Sequence, residues 1–245
     1  MKIITLANQK GGVGKTTTAV SLAHYLALHG AEVLLGDFDP QGQSATALGV
    51  NTEGCIFNLM VAGSSAEQWI RKTGRKGLDI IPGNRQTATA QIVMNAENRP
   101  ISAIEEAFKP LYARYDYIIF DTAPSVGGLQ ERAIWASDLV LLPSATEYLS
   151  SDGLAQILSM LNSLKGKGWT GALAGILPTF YDHTSESKVS LLSLRSQFKE
   201  SVLDPIHRAT VLRECAAEGV TIFEKSPRSR AANEYAALGD FIRKA

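Results

Sequence analysis

Lys10-Gly11-Gly12-Val13-Gly14-Lys15-Thr16-Thr17 stands between an apolar run, Ile3 to Ala7, and a helical pattern that begins near Thr16. A strand that passes through a glycine-rich turn into a helix is a phosphate cradle. Glycines let backbone N–H groups close on the anion, and the helix N-terminus adds its positive end. Gly14-Lys15-Thr16 matches the end of the pattern G-x-x-x-x-G-K-[ST], which asks for glycine at position 9, where Gln9 stands. A second lysine, Lys10, precedes Gly11-Gly12, so two lysines converge on one phosphate site. Lys15 is expected to hold the β- and γ-phosphates and Thr16 to ligate magnesium. Gly11, Gly12, Val13, Gly14 and Thr17 complete the cradle, and Lys10 exceeds what one nucleotide needs.

Outward from this loop, Val20, Ala23, Leu26 and Ala27 recur at helical spacing until Gly30, which predicts a helix of about four turns. Glu32 to Asp37 reads as a buried strand. It runs into Asp37-Phe38-Asp39-Pro40-Gln41-Gly42-Gln43, two carboxylates and an amide at a strand end, where ligands of open α/β sheets collect; a plain Asp-Pro turn is the alternative. Residues 43–76 read as short helices and loops, with a helical piece at 66–70. Residues 78–83 read as a strand stopped by Pro-Gly, and 87–108 as helix broken at Arg99-Pro100. Tyr115 to Phe120 is an apolar strand that ends in Asp121, as a Walker B element requires, with the carboxylate near the metal through a water. Thereafter Gly127-Gly128 precedes a helix through Trp135, and a strand at 138–143, a helix at 151–164 and a strand at 173–178 follow. A helix at 185–199, a strand at 202–205 and helices at 208–217 and 228–243 complete the chain. This alternation, without a composition break, predicts one doubly wound α/β domain over residues 1–245, with a mostly parallel sheet and helices on both faces.

Lys plus Arg equal Asp plus Glu at 24 each, so no global field draws the chain to nucleic acid or lipid, and any such binding needs a local patch. Cys55 and Cys215 have no metal-ligand spacing and read as unpaired thiols of a reducing compartment. No signal-peptide order and no run of about eighteen apolar residues occurs, and a cytoplasmic protein is expected.

KGGVGKTT resembles the deviant P-loop of the ParA/MinD superfamily of ATPases. Asp37-Phe38-Asp39-Pro40-Gln41 is similar to that family's switch I, and Asp121-Thr122-Ala123-Pro124-Ser125 to its switch II, with Ala123 where a second proline is usual. Leu177-Pro178-Thr179-Phe180-Tyr181-Asp182 and Ser226-Pro227-Arg228-Ser229 extend the likeness over almost the whole chain. The resemblance implies a P-loop fold and a slow magnesium-dependent ATPase, with ATP and Mg2+ as cofactors. It implies that Lys10 reaches the partner's nucleotide across an ATP-dependent homodimer, that Asp39 positions magnesium and the attacking water, and that the segment holding Thr179 lies beside the adenine.

Three connections of such a switch are distinguishable. The resemblance to the ParA branch implies ATP dimers that bind DNA without sequence preference and are released when a ParB-type activator stimulates hydrolysis, so that a plasmid, chromosome region or other cargo is positioned on the nucleoid. Arg208, Arg213, Lys188 and Arg195 are the candidate DNA contacts, with Lys199, Lys225, Arg228 and Arg230 also late in the chain. The paired reading of these cations looks to Glu186, Glu200 and Glu214. A MinD-like membrane switch carries a basic amphipathic tail, whereas Tyr235, Leu238 and Ile242 here read as docking residues, so no membrane partner is expected. A nitrogenase-type reductase or cluster carrier needs paired interface cysteines, which Cys55 and Cys215 do not form. The chain opens directly on the P-loop strand, so operator recognition by an added domain is not expected.

Overall fold

The computed structural model describes residues 1–124, 128–146 and 151–245, with the backbone alone at 151 and 152. Within these, β1 (Lys2–Leu6), β2 (Val33–Phe38), β3 (Arg71–Lys72), β4 (Leu78–Ile81), β5 (Tyr117–Thr122), β6 (Leu139–Ala145) and β7 (Ala172–Thr179) form one sheet in the order β3-β4-β2-β5-β1-β6-β7. Every pairing is parallel except β3 with β4. The strands carry apolar residues on both faces, as a sheet covered on both sides demands. Ile4, Leu6, Leu35 and Ile119 join one core, and their neighbours Ile3, Leu34, Ile118 and Phe120 join the other.

The helices are α1 (Lys15–Leu28), α2 (Gln43–Ala47), α3 (Ile56–Met60), α4 (Gln86–Ala96), α5 (Ala103–Phe108) and α6 (Leu129–Trp135). They continue as α7 (Ser151–Gly166), α8 (Ser185–Phe198), α9 (Thr210–Glu218), α10 (Ile222–Lys225) and α11 (Arg230–Lys244). The first core takes Ala19, Leu22, Ala23 and Leu26 of α1 together with Tyr235, Leu238 and Ile242 of α11, which are docking residues as their spacing indicates. The second is built from Ile56 of α3, Met94 of α4, Ile104 and Phe108 of α5 and Ala133 of α6, with Phe120 edge-on to both Phe38 and Phe108 at ring distances of 5.2 and 4.9 Å. A third cluster lies where α7, with Leu154, Ile157 and Leu161, covers β6 and β7.

The doubly wound, mostly parallel architecture is the one the alternation predicts. Helix α10 lies where the sequence reading placed no element, and two further elements differ. The two-residue antiparallel strand β3 has no counterpart in the sequence reading, and 202–205 is not a strand. There the chain leaves a 3-10 turn at Lys199–Ser201 and runs along the outer edge of β7, bonding Leu203 N–H to Ile176 and Ile206 N–H to Pro178. Pro205 has no N–H to continue a ladder, so only isolated bridges form, at Val202 and His207.

Candidate nucleotide site

β1, β2 and β5 end side by side, so the register itself assembles the site: Leu6 pairs with Asp121, and Asp121 with Asp37. The loop after β1 turns through Gly12 and Gly14 at φ 72° and 85°, a conformation that costs glycine nothing and other residues strain, and delivers Lys15 as the first residue of α1. Lys15 is 6% exposed, and its Nζ donates to the Lys10 carbonyl at 3.1 Å. The Lys10 N–H in turn donates to Asn8 Oδ1, while Asn8 Nδ2 is tied to the Pro143 carbonyl, so β6 fixes the loop's entry. Thr179, at the end of β7, is buried and donates its hydroxyl to the Val13 carbonyl at 2.9 Å. It supports the cradle from beneath.

Asp37 and Asp121 are fully buried carboxylates on adjacent strands. Burial, reinforced by Asp121, pushes Asp37 well above the carboxylate range, while the N–H groups of Asp39 (3.0 Å) and Ser44 (3.1 Å) donate to it and oppose the shift. Burial also raises Asp121, to about 6, against hydrogen bonds from the Thr16 and Ser44 hydroxyls and the charge of Lys15. Ser44 Oγ lies 2.8 Å from Asp121 Oδ2, whereas Oδ1 is buried without a hydrogen-bond partner. Lys15 is lowered by burial and raised by Asp121 and Asp39. A buried carboxylate with one unsatisfied oxygen, beside a threonine hydroxyl and a glycine cradle, fits a hard dication with a phosphate chain: the dication relieves the buried negative charge and the N–H groups and Lys15 take the anion.

A cavity of about 700 Å3 opens over this point, lined by the loop, Asp39, Gln41, Pro124, Phe180 and Arg213. A second, more apolar one of about 310 Å3 continues from Gly12, Gly14 and Thr17 to Phe180, Ile206 and Leu212. Together they offer a polar chamber for phosphates and an apolar slot for a base. Lys10, Gly11, Gly12, Val13, Gly14, Lys15, Thr16, Thr17, Asp39 and Asp121 are thus brought to one place. Ser125 of the switch II reading and Gly127, read as preceding the next helix, lie outside the described residues.

Of the candidate DNA contacts, Arg208 stacks over the Phe180 ring at 5.4 Å, and it and Arg213 line the apolar cavity. Lys188 and Arg195 are exposed on α8, with Arg195 3.4 Å from Asp204. Lys225 pairs with Glu214 and Glu218, and Arg230 with Glu234, so part of the late basic set is internally compensated. Sequence reasoning missed Ser44, Asp37 as organiser of the Asp39 turn, and Gln130, whose amide donates to Thr122 Oγ1 and the Ala123 carbonyl and braces the segment after β5. A lone serine or glutamine carries no spacing signal; Asp37 was legible as a carboxylate but not as a buried one.

A family profile described as an AAA domain matches residues 1–170. The chain is 35% identical to the chromosome partitioning protein ParA of Myxococcus xanthus, covering 97% of this chain and 86% of that protein. It is also 35% identical to the sporulation initiation inhibitor protein Soj of Bacillus subtilis, covering 96% and 95%. Among solved structures, an aspartate-to-alanine variant of Cyanothece McdA in complex with ATP superposes with a TM-score of 0.91 at 21% identity, over 99% of this chain and 96% of that one.

Proposed function

Because the chain belongs to the ParA branch of the ParA/MinD superfamily of deviant Walker A ATPases, we propose that it is a nucleotide-controlled switch. In this reading it binds ATP with Mg2+, pairs with a second copy of itself, binds DNA without sequence preference and is released when a ParB-type activator accelerates hydrolysis. The observation that carries the ATPase chemistry is the buried, half-satisfied Asp121 carboxylate flanked by Thr16, Ser44 and the Lys15 ammonium.

Bound there, magnesium would be held by Thr16, with Asp39 and Asp121 through its waters, and would neutralise charge on the phosphates. Lys15 and the N–H groups of residues 11–17 hold and orient the phosphate chain. Asp39 is held at the rim by Asp37, its N–H donating to that buried carboxylate, and can orient the water that attacks in line. Lys10 supplies a further positive charge from the opposite subunit as negative charge develops. The apolar slot past Thr17 receives the adenine. Cargo positioning on the nucleoid, whether of a plasmid, a chromosome region or a protein compartment, is the use such a switch serves.

If Lys10 completes the partner's site, specific ATPase activity rises with protein concentration, and Lys10→Ala flattens that rise and lowers the maximal rate by about 10- to 1000-fold. Steady-state phosphate release over a dilution series measures it. A Lys10→Ala enzyme with the wild-type rate and concentration dependence would remove the cross-subunit role.

A further inference from the structure

His183 and His207, two of the four histidines in the chain, meet at the outer wall of the apolar cavity, which His207 lines. Their Nε2 atoms are 3.1 Å apart. Behind His207, Glu234 of α11 accepts from the ring Nδ1–H at 2.6 Å and from the His207 backbone N–H at 2.9 Å. A carboxylate on Nδ1 fixes the tautomer in which Nε2 carries the lone pair, and that lone pair faces His183. The ring of Tyr181 stands edge-on to both imidazoles, at 4.7 and 5.0 Å. On the His183 side, Asp182 accepts from the N–H and hydroxyl of Thr184 and pins the turn.

We propose that His183 and His207 form a site for a borderline divalent transition metal, zinc or nickel, ligated by the two Nε2 atoms, with Glu234 as the positioning residue behind His207. The separation of the two rings is compatible with this. The ring centroids are 4.8 Å apart. Two imidazoles with a ring radius of about 1.15 Å and an N–metal distance of about 2.05 Å have centroids about 4.8 Å apart when their nitrogens are 3.1 Å apart. A straight N–H···N bond of the same N···N length would hold them about 5.4 Å apart. The observed separation is the one that two rings converging on a single ion would have. Neutral imidazoles backed by a carboxylate are the ligand set of zinc, nickel and copper, not of magnesium, so this site is chemically distinct from the one at Thr16.

Among the described residues no three His, Cys, Asp or Glu side chains gather as a metal-binding group. The protein supplies two ligands, water supplies the others, and the affinity is that of an exchangeable site rather than a structural one. Its place gives it a consequence: His207 lines the apolar cavity beside the P-loop, and Tyr181 bridges to it from the end of β7. A metal across the pair would brace the outer wall of that cavity.

Titration of the untagged full-length chain with zinc chloride, and separately nickel chloride, in competition with a chromophoric chelator tests this without nucleotide or activity. One equivalent is expected to bind saturably. His183→Ala, at an exposed position, and His207→Asn should each weaken binding at least about tenfold. Glu234→Ala should weaken it about 10- to 100-fold, and Glu234→Gln, which keeps an oxygen acceptor for the ring N–H, by less. His29→Ala should leave it unchanged. Absence of saturable binding up to millimolar metal, or equal affinity in His183→Ala, would overturn the proposal and leave the pair as a hydrogen bond.

Discussion

Ser44 illustrates how much of the site is decided by single polar atoms. Its backbone N–H donates to Asp37 and its hydroxyl to Asp121, so one residue at the start of α2 touches both buried carboxylates. Hydrogen bonds to a charged group contribute about 1.5–3 kcal/mol, and losing the one from Oγ favours the neutral, poorly ligating form of Asp121. Ser44→Ala is expected to lower the rate of phosphate release about 10- to 100-fold at saturating ATP, with the backbone bond to Asp37 retained. An unchanged rate would mean that Asp121 needs no help to stay ionised. Asp39 shows the complementary case: it is only half-buried, and its N–H leans on Asp37 while its Oδ1 accepts from Gln41 N–H. The turn is held from within by the first carboxylate of the pair, which leaves the second at the rim of the chamber.

The elements around the site are kept apart by close approaches as much as by cores. Gly83 follows β4, and a Cβ there would stand 2.5 Å from the Asp37 carbonyl oxygen and 2.6 Å from that of Asp39. Gly83→Ala must therefore push the β2 end outward. It should cost about 1–3 kcal/mol of stability in urea unfolding and reduce ATPase activity more than a surface alanine would; a variant with wild-type stability and rate would show that the β2 end yields freely. α1 and α10 meet through His24, buried and 2.6 Å from the Thr221 hydroxyl, and burial lowers its pKa. A histidine held neutral binds fewer protons folded than unfolded. Its contribution is complete above the ordinary value of about 6.5 and is lost as pH falls through it towards the depressed folded value. Asp37 and Asp121, raised by burial, act in the opposite sense in this range, so the His24 part is read as a difference: the urea midpoint of wild type relative to His24→Gln should fall from pH 7.5 to 5.5, and a constant difference would place the titration elsewhere. The elements nearest the phosphate site were legible because periodicity and motif agree there: the apolar runs of β1, β2 and β5 each end in chemistry. β3 was not, because two residues at a sheet edge carry no period. The chain at 202–205 misled because Val202 and Leu203 read as strand, while Pro205 decides the backbone. The His183–His207 pair, separated by 24 positions, is a product of the β7 edge bridge and had no sequence signal.

At the scale of the whole molecule, zero formal net charge means that attraction to a polyanion has to be local and conditional. Several late cations are paired within the chain, and Lys188 and Arg195 are spread along the exposed face of α8. One copy is a weak ligand for DNA on this account, and two copies joined by ATP double the patch, so that nucleotide sets affinity through assembly. Among the described residues no helix is long and apolar enough to cross a membrane. The most direct measurement is binding to a long duplex of arbitrary sequence with ATP, with ADP and without nucleotide, over a salt series, with Lys15→Ala as control. The account predicts binding with ATP alone, weakening steeply as salt rises, with a log–log slope of about −0.9 per phosphate contacted, and lost in Lys15→Ala. Equal binding in all nucleotide states, or none in any, would contradict it.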